Sequence, residues 1–378
     1  MFSEEGTQDS SRLLTPIRVL VPGTGPRFRC GGLSVALQTA RLLSQLRPTE
    51  VVTYREREQS HLFLDDLLHQ EDAPGEALWL VSWGFDVPGL LKRLRGRLAV
   101  YQAHSSGYGF DLPPGVPVIA VSRNTLGYWG DRAPRNPLAL VPNALELQWI
   151  DRGARQASHM SGSDVRPIQV LVQQRKSSSY VLNQLVPALR AQGLRVEVQD
   201  GWVDDLVSLF NSATVYLYDS AEYWRGRGVS EGFGLPPLEA LACGCVVFSS
   251  FNHALADFLT PGENAHQIGQ GTLYNDLKRI QSAVHDPLAW LPQPDQLEGL
   301  LEQMSEARWL ERWGQTLAWM ESIGLSSGLT PGLAKDSDTA TLRSPSTRRL
   351  RWHQRIQTLQ SKVVNRLPGW LQQSGSKH

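Results

Sequence analysis

The sequence predicts an α/β fold made of two successive units, each a parallel sheet with helices on both faces. Three observations carry this. Short apolar runs alternate with segments of helical apolar spacing through both halves, a pattern that calls for crossover connections and parallel strands. A stretch rich in Gly, Ser and charge, Gly153–Arg166, separates the two series and reads as a linker. The length, 378 residues, suits two domains better than one.

In the first series, strands are predicted at Ile17–Val21, Val51–Tyr54, Leu78–Ser82, Leu98–Gln102, Val118–Val121 and Leu138–Val141. Leu33, Leu37, Ala40 and Leu43 recur at helical spacing and predict a helix over Leu33–Leu46. The intervening Gly23-Thr24-Gly25 begins like a dinucleotide fingerprint, but Pro26 to Cys30 interrupt it and Tyr54-Arg55 stand where a carboxylate should close the second strand. Tyr101–Gly107 leaves a strand at its carboxyl end, the edge where open α/β sheets bind ligands, and carries His104 there.

The second series has strands at Ile168–Val172, Val196–Val198, Thr214–Tyr218 and Val246–Ser249, with helices at Tyr180–Gln192 and Asp204–Asn211. Its first strand ends in Gln173-Gln174-Arg175-Lys176, again at a carboxyl edge; the two cations are either a ligand clamp or a solvated pair. Between Tyr218 and Glu231, the mixture of Tyr223, Trp224, Arg225 and Arg227 serves either to contact an acceptor or as an exposed loop. Beyond Pro294 the chain is helical, and Trp309, Trp313 and Trp319 predict a helix that crosses back to the first unit. The expected divisions are a flexible 1–15, a first domain at 16–155, a second at 166–325, and a linker and tail at 326–378.

Composition excludes several classes. Lys plus Arg and Asp plus Glu number 37 each, so no overall charge favours nucleic acid. Three cysteines do not form a disulfide framework, and Cys243 and Cys245, flanking Gly244, read as small buried residues rather than metal ligands. Residues 1–15 carry Glu4, Glu5 and Asp9 without an apolar core, so no signal peptide is expected. No apolar run approaches the roughly 20 residues that span a bilayer. The expected location is cytoplasmic, either free or peripheral on the cytoplasmic membrane face. The peripheral alternative comes from 343–370, where Arg348, Arg349, Arg351, Arg355, Lys362 and Arg366 surround Trp352, Ile356, Leu359, Val363 and Leu367 at helical spacing. Such a basic helix docks on an anionic surface, at about 1 kcal/mol per cation, or packs on the body or a second subunit.

The chemistry concentrates in Glu231–Ser249, EGFGLPPLEALACGCVVFS. Gly232 and Gly234 let main chain approach a ligand closely, Pro236 or Pro237 suits a first helical turn, and Gly244 ends the helix before a buried strand. A helix start offers unpaired N–H groups and a partial positive charge, which is a phosphate site. Glu239 points back toward that end and Glu231 precedes it by eight positions, so the two carboxylates reach one ligand from helix and loop. Carboxylates beside phosphate are better suited to hydroxyls. A ligand with phosphates and several hydroxyls is a nucleotide sugar.

The Glu231–Gly244 string resembles the signature of retaining glycosyltransferases of the GT-B fold, the group 1 or family four kind. That resemblance implies two Rossmann-like domains facing across a cleft, the first for acceptor and the second for donor, with a basic helical tail here in addition. It implies that Glu231 binds donor-sugar hydroxyls, that Gly232, Phe233, Gly234 and Leu235 line sugar and diphosphate, and that Glu239 binds the ribose. Arg175 and Lys176 correspond to the family's cationic clamp, although here they are adjacent, no glycine precedes them, and Tyr180 holds the usual lysine position. Gly31 and Gly32 match a glycine-rich loop facing the cleft or form a plain turn, and His104 matches a histidine often found in a comparable loop. Val141-Pro142-Asn143-Ala144 resembles the family's V-P-N-G segment, with Ala144 for glycine. The implied reaction needs no metal and no cofactor beyond the nucleotide-sugar co-substrate. The implied acceptor is a glycan or a lipid-linked molecule, as in polysaccharide biosynthesis. The competing reading is a degenerate GT-B module that binds sugar or a partner without turnover.

Overall fold

The computed structural model describes residues 15–70, 77–82, 84–155 and 166–323. The basic helix expected at 343–370, the first 14 residues and the middle of the linker lie outside the described residues.

The first half forms a parallel sheet of β1 (Ile17–Val21), β2 (Thr49–Thr53), β3 (Leu62–Phe63), β4 (Leu78–Val81), β5 (Leu98–Ala103), β6 (Val118–Ala120) and β7 (Leu138–Leu140). Their order is β3-β2-β1-β4-β5-β6-β7. β1 pairs in parallel with β2 on one side and β4 on the other, Ile17 lying opposite both Thr49 and Leu78. The second half forms a smaller sheet of β8 (Ile168–Gln173), β9 (Val196–Gln199), β10 (Ala213–Tyr218), β11 (Val246–Ser249) and β12 (His266–Gln267), in the order β12-β11-β10-β8-β9. The chain leaves β8 toward β9 and returns to the other side of β8 with β10, so the strand order reverses between β8 and β10. A crevice opens at the carboxyl end of such a pair, because the connecting loops run off in opposite directions.

The helices of the first half are α1 (Gly31–Leu43), α2 (Leu64–Gln70), α3 (Val87–Arg93) and α4 (Arg123–Arg132), followed by α5 (Leu147–Arg152) in the crossing segment. The second half adds α6 (Val186–Ala191), α7 (Leu206–Asn211), α8 (Ala221–Arg225), α9 (Leu235–Ala242), α10 (Leu273–His285), α11 (Pro294–Gln303) and α12 (Glu306–Ser322). The helix expected over Tyr180–Gln192 begins as a π-helical turn at Val181–Leu185, in which the Val186 amide reaches back to the Val181 carbonyl. Pro187, with no N–H to donate, sits where the tighter ladder would need one.

The chain changes sides twice. Leu145 and Trp149 of the crossing segment pack with Phe210, Leu238 and Leu241 over the second sheet, the rings of Trp149 and Phe210 meeting edge to face at 5.6 Å. In return α12 lays Trp309, Trp313, Leu317 and Met320 against Ile17, Val19, Leu78, Leu80 and α1, as its tryptophan spacing predicts. Ala144 is buried in that same cluster, so its methyl group fills core volume where the resembled segment has glycine. Among the described residues no helix is long and apolar enough to cross a membrane.

Candidate functional site

Of the second-half residues singled out in the sequence, Arg175, Lys176, Glu231, Gly234 and Glu239 gather at the crevice between β8 and β10. Tyr216 and Tyr218 alternate with inward-facing neighbours on β10 and so point to the same face, toward α9. The Tyr218 hydroxyl donates to Glu231 Oε2 at 2.5 Å, and the Trp224 indole N–H donates to the same oxygen at 2.7 Å. Glu231 is thus 4% exposed yet doubly bonded on one oxygen. The Tyr216 hydroxyl donates to Gln173 Oε1 at 2.7 Å, tying the end of β8 to the same cluster.

α9 starts from Gly234, whose left-handed φ of 88° turns the chain into the helix. A Cβ there would lie 2.3 Å from Leu255, so glycine is required for space as well as for conformation. Pro236 and Pro237 remove two of the first-turn donors, which leaves the amides of Gly234 and Leu235 as the donors at that end. Phe233 turns away from the crevice into the core, stacked on Phe258 at 5.3 Å. Glu239 keeps a partly open edge. Burial nevertheless pushes its carboxyl up to about 8, with Lys176 pulling the other way and Glu146 adding to the rise.

The two cations, Arg175 and Lys176, are on this side of the sheet. Lys176 takes a left-handed φ of 70°, a conformation that costs a non-glycine residue about 1–2 kcal/mol. Its ammonium lies over the Trp224 ring at 5.4 Å and within electrostatic reach of Glu239. Arg175 is exposed and places its Nε 3.3 Å from the Tyr223 hydroxyl. That bond is the main reason its guanidinium sits above the usual range, and the Cys30 sulfur of the first half contributes to the rise. Tyr180, in the family's lysine position, donates its hydroxyl at 2.8 Å to Asp276, which is 1% exposed and also accepts from the Gly269 amide.

Residues 221–225, left open between ligand contact and loop, form α8. Arg225 and Arg227 are exposed; Arg227 folds back over the Tyr223 ring at 3.5 Å and donates to the Tyr223 carbonyl.

The first half meets this crevice through the loop that follows β5. Ser105 donates to the Ser230 carbonyl at 2.6 Å, the Ser106 and Ser230 hydroxyls are 2.7 Å apart, and Asn124 reaches the same hydroxyl. A Cβ on Gly232 would fall 1.4 Å from the His104 carbonyl oxygen, and one on Gly107 would fall 2.2 Å from the Gly228 carbonyl. These glycines therefore bring two main chains together from opposite halves. Next to this seam, burial pushes the His104 imidazole down to about 4, and its Nε2 is buried without a hydrogen-bond partner among the described residues. Gly31 and Gly32 open α1 on the exposed side of the same edge, behind Cys30. Arg29 bridges the halves farther along, over the Trp202 ring at 5.4 Å.

Sequence reading singled out Glu231, Glu239, Arg175, Lys176 and His104 but missed Tyr218 and Ser230. The signal for Tyr218 was available: alternation on a strand places it on the same face as Tyr216, at the strand end nearest Glu231. Nothing in the sequence marks Ser230 as the meeting point of three first-half side chains.

Comparison with known proteins bears on the fold that carries these residues. Residues 195–297, which contain β10, α8 and α9, match the family model described as glycosyl transferases group 1. The chain resembles the group 1 glycosyltransferases. Among solved structures it is similar to Anabaena HepE in complex with UDP and glucose, at 15% identity over 81% of this chain and 100% of that one, with a TM-score of 0.56. It is also similar to a sucrose-phosphate synthase from Thermosynechococcus elongatus, at 14% identity over 82% of this chain and 99% of that one, TM-score 0.56. A glycosyltransferase from Rickettsia africae gives 10% identity over 82% and 98%, TM-score 0.58. The fold is GT-B. No curated protein matches the chain in sequence.

Proposed function

We propose that this GT-B chain transfers a sugar from a nucleotide-sugar donor to a glycan or lipid-linked acceptor, with retention of configuration. One observation carries the reading. At the strand-order reversal, a cation (Lys176) and two carboxylates (Glu231, Glu239) converge beside the Gly234-initiated helix, and aromatic side chains hold Lys176 and Glu231 in place.

In this reading the donor diphosphate lies between Arg175 and Lys176 and the Gly234 and Leu235 amides. The glycosidic C–O bond to phosphate breaks, and the negative charge that grows on the departing oxygen meets groups already aimed at it. Preorganised donors of this kind are worth several kcal/mol in a barrier. The acceptor oxygen bonds to the same carbon, and its proton passes to the leaving phosphate. Glu231 accepts from donor-sugar hydroxyls through Oε1, the oxygen that Tyr218 and Trp224 leave open. Glu239 faces the ribose. Its raised pKa keeps it largely uncharged at pH 7, so it offers hydroxyls a partner without repelling the diphosphate. No step calls for a metal ion.

The complexes of HepE with UDP and glucose, and with UDP-glucose, make UDP-glucose the first donor to try. Incubation with UDP-glucose and related donors is expected to release nucleoside diphosphate slowly, with the anomeric configuration of the product retained by NMR. A second reading is favoured by one feature: Tyr180 stands in the family's lysine position and is tied to Asp276. If that tie has removed turnover, the module binds UDP or UDP-glucose, seen as a rise in melting temperature, without releasing product.

A further inference from the structure

α8 is only five residues long, yet its side chains meet Ser179, Arg175, Lys176 and Glu231. The Glu222 carboxylate accepts from the Ser179 amide at 2.7 Å and from its hydroxyl. The Tyr223 hydroxyl meets Arg175. Trp224 makes two different contacts with one ring system: its N–H edge donates to Glu231 Oε2, and its face carries the Lys176 ammonium. An indole can do both at once because the N–H lies in the ring plane while the negative quadrupole lies above it.

We propose that Trp224 is a positioning residue for both halves of the donor, aiming Glu231 at the sugar with its edge and seating Lys176 at the diphosphate with its face. The proposal rests on the glycosyl-transfer reading above. Tyr218 and Trp224 place two donors on Oε2, and no hydrogen bond from a described residue reaches Oε1. With Oε2 occupied twice, the carboxylate is fixed in rotation and Oε1 is the oxygen offered to a hydroxyl. Lys176, in its left-handed backbone conformation, depends on the indole face for a fixed ammonium position. The two functions are separable by substitution, because one belongs to an N–H group and the other to a π-face.

The test uses the full-length protein with UDP and UDP-glucose as probes, reading melting-temperature shifts and the rate of UDP release. Trp224→Phe keeps a ring face and loses the N–H. It is expected to retain the UDP-induced shift, to lose the additional shift that UDP-glucose gives over UDP, and to lower kcat/KM about tenfold, as loss of one hydrogen bond to a charged group implies. Tyr218→Phe, which removes the other donor to Oε2, should act in the same direction. Trp224→Leu removes the face as well and should also lose the UDP shift, matching Lys176→Met. The inference is overturned if Trp224→Phe leaves the sugar-dependent shift and kcat/KM at wild-type values. It is equally overturned if Trp224→Phe loses the UDP and UDP-glucose responses in parallel with a fall in unliganded melting temperature, the mark of a merely structural tryptophan. Wild-type protein that neither responds to nor turns over UDP-, GDP- or ADP-glucose overturns the underlying reading instead.

Discussion

The loops that follow the first strand of each sheet occupy corresponding places and are filled in opposite ways. After β1, the Pro22–Pro26 loop turns its amides inward, and Glu58 takes them: one oxygen accepts from the Thr24 amide at 2.6 Å and the other from the Thr24 hydroxyl at 2.5 Å. Burial pushes the Glu58 carboxyl up, but bonds from the Thr24 hydroxyl and the Thr24 and Gly25 amides, with His61 nearby, pull it lower still. After β8, the loop ends in Arg175 and Lys176, which rest on aromatic groups of α8 instead of on carboxylates. A guanidinium or ammonium held by a ring keeps most of its attraction for a phosphate, whereas an amide pair already holding a carboxylate has none left to offer. In the proposed reading, the contrast is how one architecture, used twice, yields a single edge for the diphosphate.

Replacing the cations should have the largest effect on that contrast. Lys176→Met and Arg175→Met are each expected to remove the UDP-induced melting shift and, where turnover occurs, to slow it by about a hundredfold; calorimetric titration with UDP checks the binding part. The seam between the halves comes next. Gly232→Ala forces a methyl group into the His104 carbonyl and should destabilise the protein by about 2–3 kcal/mol, read by denaturant unfolding. Glu58→Gln is expected to cost about 1–2 kcal/mol through weakened bonds to the Thr24 loop while leaving UDP binding unchanged. Tighter UDP binding in that variant would mean that the first-half loop does receive phosphate once emptied.

The pH dependences differ in sign across the seam. His104 is pushed down to about 4, so as pH falls from the ordinary histidine range toward 4 the unfolded chain takes a proton that the folded one refuses. Stability is lost on that acid side, and His104→Gln should flatten the loss. Glu239 is pushed up to about 8, so between the ordinary carboxyl range and 8 the unfolded chain releases a proton that the folded one keeps. Stability therefore falls as pH rises through that window, and Glu239→Gln should melt several degrees above wild type at pH 8 but match it near pH 4. Melting curves across pH 4–9 check both.

Much of the fold was legible because buried parallel strands announce themselves as apolar runs. β1 and β11 fall on their expected residues, and the other strands longer than two residues lie within about two residues of theirs. β3 and β12, two residues each, are too short to carry a pattern. α8 was hidden for a different reason. Five residues between Ser220 and Gly226 make no amphipathic repeat, and what holds them helical is a set of side-chain contacts to Ser179, Arg175 and Glu231, none of them near in sequence except the last. The site residues divide the same way. Glu231 and Glu239 stand in a local string with its own chemistry, whereas the seam of Ser105, Ser106, Asn124 and Ser230 exists only once both halves are folded.

The return of α12 to the first sheet has a consequence for how the protein is made. The wall that covers β1 and β4 is supplied by Trp309, Trp313, Leu317 and Met320, which are synthesised after every strand of both sheets. During translation the amino-terminal unit must therefore wait, with an apolar flank uncovered, until α12 emerges from the ribosome. A chain cut short before Trp309 would leave its earlier half unfinished and prone to aggregate, although the truncation removes nothing from the crevice between β8 and β10.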